Sequence, residues 1–224
     1  PTLLKALEHG KSVLRRGAVE ALGGMKLGEP KVIEHLLTAM RDRDEAVRGK
    51  AADALRSIGK AAVPALTKSL KDPSESMKCL SAGALGGIGQ DAVESTSGLV
   101  ELLKDHKSSV RIEAARALGA MGIAAAGAVI GLQASLSDSN DGVRREAVIA
   151  LGKIGSAASK GVMALTALLN DKKDDVRWRT VEALGRIGAR NPEIVSALKN
   201  MIHDKCDYVC EAATEALDKI TGEQ

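Results

Sequence analysis

The sequence predicts an all-α protein, a right-handed α-solenoid (superhelix) built from about seven helix-turn-helix repeats. Three observations carry this. The pair Ala-Leu recurs at 21–22, 54–55, 84–85, 117–118, 150–151, 183–184 and 216–217, in five steps of 33 residues and one of 30. An apolar residue stands eight positions before each Leu and another three positions after it, a spacing that puts them on one helix face. No strand-like alternation occurs anywhere. A single helix pair cannot bury its apolar face, so neighbouring pairs must stack.

Taken in order, the first unit, residues 1–28, sets Leu3 and Leu7 four apart on one helix, then Leu14, Leu22 and Met25 on a second. Residues 29–60 pair Leu36 with Met40, then run through Val47, Leu55 and Ile58 to Gly59. Residues 61–90 carry Leu66 and Leu70, then Met77, Leu85, Ile88 and Gly89. In 91–123 the positions are Leu99, Leu103, Val110, Leu118, Met121 and Gly122. In 124–156 they are Leu132, Leu136, Val143, Leu151, Ile154 and Gly155. Residues 157–189 repeat the pattern with Leu165, Leu169, Val176, Leu184, Ile187 and Gly188. The last unit, 190–224, has Leu198, Ile202, Val209, Leu217 and Ile220, and ends polar, as a solvated cap would. Each glycine is expected to end its helix in a left-handed turn. The units form a single domain, 1–224, with layers extending roughly 60–70 Å in all. The 30-residue step between Leu55 and Leu85 shortens one loop and should perturb curvature there.

Composition narrows the function. The chain is 45% hydrophobic and 27% charged but only 1% aromatic, with no Phe, so its core is aliphatic. A net charge of +3, from 32 basic and 29 acidic residues, is too balanced to indicate nucleic acid or an anionic membrane. Three cysteines are too few for a disulfide framework, and a reducing, cytoplasmic home is expected. The apolar run Gly119–Leu132 is 14 residues long, short of a membrane span. Thr2–Leu14 carries Lys5, Glu8, His9 and Lys11 and does not read as a signal peptide. The first unit opens almost inside its helix, either as a short cap or with upstream repeats cut away.

The string Val143-Arg144-Arg145-Glu146-Ala147-Val148-Ile149-Ala150-Leu151-Gly152-Lys153-Ile154-Gly155 resembles the second helix of HEAT-like repeats. It is most similar to the short bacterial and archaeal form found in phycobilisome-lyase-type repeats and in artificial proteins built on them. The resemblance covers the whole chain and implies an Asp and a basic residue at fixed places in each repeat. The Asp column is Asp42, Asp72, Asp105, Asp138, Asp171 and Asp204. Six residues later come Arg48, Lys78, Arg111, Arg144, Arg177 and Cys210, and Arg15 opens the column with His9 in its Asp place. The family implies a side-chain ladder between layers. The chemistry agrees, since a turn Asp accepts orphan amides and an Arg fork bridges two layers. A phosphate-binding arginine row is the alternative.

Catalytic patterns are few. Gly87-x-Gly89-x-x-Ala92 mimics a dinucleotide fingerprint but follows a helix, not a strand. No P-loop and no Gly-x-Ser-x-Gly elbow occurs. His203, Cys206 and Cys210 have zinc-like spacing but lack a fourth ligand, and no metal is expected. Some HEAT-like enzymes, such as deoxyhypusine hydroxylase, bind iron through His-Glu pairs, and no His-Glu dipeptide occurs here. No enzymatic activity and no cofactor are expected.

The exposed stripe of the second helices is the candidate site, on the concave side by analogy with other solenoids. It includes Cys79, Leu80, Ile112, Glu113 and Arg116, then Arg145, Glu146 and Ile149. Further along come Asp175, Trp178, Arg179 and Glu182, and finally Tyr208. Trp, Tyr and Arg are the residue types enriched at binding hot spots. The expectation is a non-catalytic scaffold for a protein or peptide partner, with no membrane role. The alternatives are a nucleic-acid-binding array, disfavoured by the interspersed carboxylates, and a non-catalytic subunit of a phycobilin-lyase-like enzyme.

Overall fold

The computed structural model describes residues 2–188 and 190–222. Among these there are fourteen α-helices and no strand. In chain order they are α1 (Thr2–His9), α2 (Ser12–Met25), α3 (Pro30–Ala39), α4 (Glu45–Ile58), α5 (Val63–Ser69), α6 (Glu75–Ile88) and α7 (Thr96–Leu102). Then come α8 (Ser108–Met121), α9 (Val129–Ser135), α10 (Asp141–Ile154), α11 (Val162–Thr166), α12 (Asp174–Ile187), α13 (Pro192–Met201) and α14 (Asp207–Thr221). Odd-numbered helices form one layer. Even-numbered helices form the other, each packing on the next along the stack.

The even helices start where the sequence supplies caps. The side chains of Asp44, Ser74 and Asn140 accept amides at the starts of α4, α6 and α10. Pro30 and Pro192 open α3 and α13, where a missing amide costs nothing. The even helices end differently from expectation. Gly59, Gly89, Gly122 and Gly155 have φ of 58–76° but ψ between −132° and −139°, the mirror image of extended backbone. Only glycine occupies that region. The chain is thereby thrown straight into the 3-10 segments Gly59–Ala62, Gly89–Ser95, Gly122–Ala128 and Gly155–Gly161 instead of closing a left-handed turn. Gly188 alone of the predicted five takes the left-handed form.

The core is the aliphatic seam between the layers. Leu55, Leu85, Leu118, Leu151 and Leu184 are fully buried. The phase fails at the first unit, where Leu14 is 59% and Met25 55% exposed. The equivalents of Leu14 are buried in every later unit, whereas those of Met25 are half-buried at Ile58 and Ile88 and buried from Met121 onward. In α13 Met201 takes the buried place expected of Ile202, which is exposed.

Ser108–Ser135 has the length and apolar composition of a membrane span, which the shorter Gly119–Leu132 run does not. In the fold it is α8 and α9 separated by the Gly122–Ala128 segment, with 44% of its most apolar window buried inside the protein.

Candidate protein-binding face and the ladder beside it

The inter-helix Asp does two things. One oxygen caps its own turn: Asp42, Asp72, Asp105, Asp138, Asp171 and Asp204 each accept the amide two residues on, at 2.8–3.0 Å. The carboxylate as a whole receives a cation from the preceding layer, 27 residues back. Arg15, Arg111, Arg144 and Arg177 grip Asp42, Asp138, Asp171 and Asp204 through two parallel bonds of 2.6–3.0 Å. Lys78 reaches Asp105 with one bond of 2.6 Å. The same guanidinium also holds its own turn, as Arg144 donates to the Asp138 carbonyl at 2.8 Å. Cys210 in the last layer keeps only this backward bond, from Sγ to the Asp204 carbonyl at 3.1 Å.

Arg177 holds Asp204 below the usual carboxylate range, and Arg15 does the same for Asp42. At Asp138 and Asp171 burial pushes upward, and the arginine and turn-amide bonds more than offset it.

One expected rung is missing. Arg48 donates to the carbonyls of Asp42 and Arg43 and makes no bond to Asp72, whose carboxylate is taken by Arg41 instead. Arg48 and Asp72 are 24 residues apart where every other rung spans 27. The three missing residues lie in the Gly59–Ala62 segment, four residues long against seven in the three that follow. The His9 side chain lies outside the described residues.

Grooves run between consecutive even helices. Leu80 lies between α4 and α6, with Cys79, Asp53 and Arg56, in a groove of about 480 Å³. Arg116, Ile149, Arg179 and Glu182 line one of about 310 Å³ between α10 and α12. Trp178, Glu182 and Tyr208 line another of about 300 Å³ between α12 and α14. Ile112 and Arg145 border none of these. Ile112 lies against Gly142, and Arg145 spans Glu146 and Asp175.

The charged members of the stripe are tied together. Arg116 bridges Glu113 at 2.7 Å and Glu146 at 3.3 Å, and Arg145 reaches Asp175 at 3.2 Å. Arg179 bonds Glu182 at 2.9 Å. Glu146, expected on the exposed stripe, is buried, because arginines of two helices close over it. Burial raises Glu113 above the usual carboxylate range despite Arg116. Burial also pushes the Cys79 thiol up to about 11, helped by Glu113 and Glu75.

Trp178 and Tyr208 form a corner, ring centroids 5.7 Å apart at 80°. Arg179 stacks on the indole, its guanidinium carbon 3.8 Å from the ring centre. The neighbouring Asp174 carboxylate, with burial, pushes the Tyr208 phenol up to about 12. The sequence placed these residues on one stripe but held no signal for the Asp174 partner, which lies on the preceding layer.

His203, Cys206 and Cys210 do not converge. His203 is exposed, while Cys206 faces Asp174 at 3.6 Å and Cys210 faces the Asp204 carbonyl. Among the described residues no three His, Cys, Asp or Glu side chains are placed to hold a metal ion.

The family model for HEAT repeats matches residues 1–77, 63–134 and 129–218. The chain belongs to the HEAT-repeat family. No curated protein matches it. Similar solved structures include an engineered protein, at 25% identity and TM-score 0.65 over 98% of this chain and 67% of that one. An archaeal HEAT-like repeat protein from Thermococcus onnurineus NA1 is similar at 14% identity and TM-score 0.65, over 99% of this chain and 96% of the other. A designed armadillo repeat protein in complex with the peptide (KR)4 is similar at 21% identity and TM-score 0.57, over 98% of both chains. The HEAT repeats thus run through nearly the whole chain, and its neighbours are stacked-helix solenoids.

Proposed function

We propose that this HEAT-repeat chain is a non-catalytic scaffold that binds a protein or peptide partner on the face of its even helices. One observation carries the reading: the only Trp, the only Tyr and the half-buried Leu80 and Ile149 line grooves on that one face. Such grooves suit side-chain anchors, and the salt-bridged rim gives a preorganised surface with little to order on binding. The even helices approach each other through glycine, Gly119 on Ala150 and Gly152 on Ala183, which supports their being the inner, concave layer. The designed armadillo neighbour, which holds a peptide, supports the partner class. Nucleic acid fits less well, because the ladder arginines are committed to aspartates and those of the face to carboxylates.

The test compares immobilised wild type with Trp178→Ala in nuclease-treated and untreated lysate. The expected result is a protein captured by the wild type and lost with the variant, at an affinity cost above about 1 kcal/mol and an unchanged melting temperature. Capture equal on both, or capture abolished by nuclease, overturns it.

A further inference from the structure

Two adjacent grooves on the even-helix face differ in sign. The one between α10 and α12 is bordered by the cations Arg116, Lys153, Arg179 and Arg186 and by two carboxylates, Glu146 and Glu182. The one between α12 and α14 is bordered by three carboxylates, Glu182, Glu211 and Glu215, and by two cations, Arg186 and Lys219. Asp174, beside Tyr208, and Asp207, its chain neighbour, add negative charge at that end. Arg179 stacks on Trp178 yet borders only the α10–α12 groove.

That groove is built for a long, thin side chain. Gly185 and Ala216 close its floor by packing on each other, a Cβ on Gly185 standing 3.0 Å from the Ala216 Cβ, and Ala212 borders it beside them. Trp178 and Tyr208 stand at one end as an aromatic corner. Glu182 is held by Arg179 at 2.9 Å and meets Arg186 only at 3.8 Å, while Glu215 meets Lys219 at 3.7 Å, and both Arg186 and Lys219 are at least half exposed. Exposed pairs of this kind exchange partners at little cost.

We infer that the α12–α14 groove receives a basic side chain, lysine or arginine, from a partner peptide. Its alkyl stem lies along Trp178 and the Gly185–Ala212–Ala216 floor, and its cationic head sits among Glu182, Glu211 and Glu215. The inference rests on the even-helix face being the protein-binding surface and names the chemistry of the partner there. Alkyl burial against the rings and charge pairing act together, since a lysine or arginine stem packs on apolar surface while its head stays polar.

Trp178 is the only tryptophan, so its fluorescence reports the groove directly. The probe is an octapeptide of alternating lysine and arginine, run beside octapeptides of alternating glutamate and glycine and of alternating serine and glycine. The expected result is a saturable fluorescence change with the basic peptide alone. Binding should weaken about fivefold in the double variant Glu211→Gln, Glu215→Gln, and hold in the control Glu94→Gln, Glu193→Gln. Matched melting temperatures show that all variants fold. No saturable change, or equal weakening in both double variants, overturns the inference. A partner captured in a Trp178-dependent way by a protein indifferent to the basic peptide overturns the basic pocket and leaves the scaffold reading standing.

Discussion

Between α8 and α12 the even helices meet backbone to backbone, whereas between α4 and α6 they are held apart. A Cβ on Gly119 would stand 2.9 Å from the Ala150 Cα, and one on Gly152 3.0 Å from the Ala183 Cα. The same column holds Gly23, Gly86 and Gly185, but Arg56 in α4. Arg56 lies over Gly87, and the groove beside it measures about 480 Å³ against about 310 Å³ between α10 and α12. The rung is missing at this junction and the linking segment is three residues short. These departures share one cause. A shorter link shifts the next layer along the stack, which pulls the carboxylate out of reach of Arg48 and opens the space that a long side chain fills.

The comparison breaks most severely if the regular stretch is given the junction's residue. Gly119→Arg should cost more than about 3 kcal/mol, because the colliding atoms are backbone and cannot yield. A urea midpoint near that of the wild type would show that the close approach is not needed. Next, Arg144→Ala should cost about 3 kcal/mol by leaving buried Asp171 without its cation. Arg48→Ala, which loses only carbonyl contacts, should cost about 1 kcal/mol. Equal losses in chemical denaturation would mean that the complete rung adds nothing.

Acid sharpens the same contrast. Asp42, Asp105, Asp138, Asp171 and Asp204 are depressed in the folded state, so their contribution is present above the unfolded value, about 4, and is lost as pH falls through the folded value. Stability should hold from neutral pH to about 5 and decline below about 4. Arg177→Ala should flatten that decline, since Arg177 is the first cause of the Asp204 shift. An unchanged acid slope would remove the ladder from the account. The smallest effect is a gain. Ser81 in α6 is fully buried and its hydroxyl has no partner, so Ser81→Ala should add about 1 kcal/mol. A loss on thermal melting would show that the hydroxyl is satisfied in solution.

Much of this was legible beforehand because it is periodic. The Asp column needs only its own turn to act, and the place of the 30-residue step marked the junction. The phase also put Trp178 and Tyr208 on a common stripe. What escaped was pairwise. Arg41, outside any column, took Asp72, and Glu146 went under two arginines although its helix phase reads as exposed. Leu14 failed in the opposite sense, exposed although its counterparts in every later unit are buried.

The sequence by itself determined the helices, their order and the buried face of the helices between α4 and α12, because the spacing of apolar residues along a helix acts within one repeat. The tertiary structure alone decided which carboxylate each cation holds, where two helices touch through glycine, and which grooves are acidic or basic. Those depend on the offset between layers, which is set jointly by every linking segment and by the packing of side chains far apart in the chain.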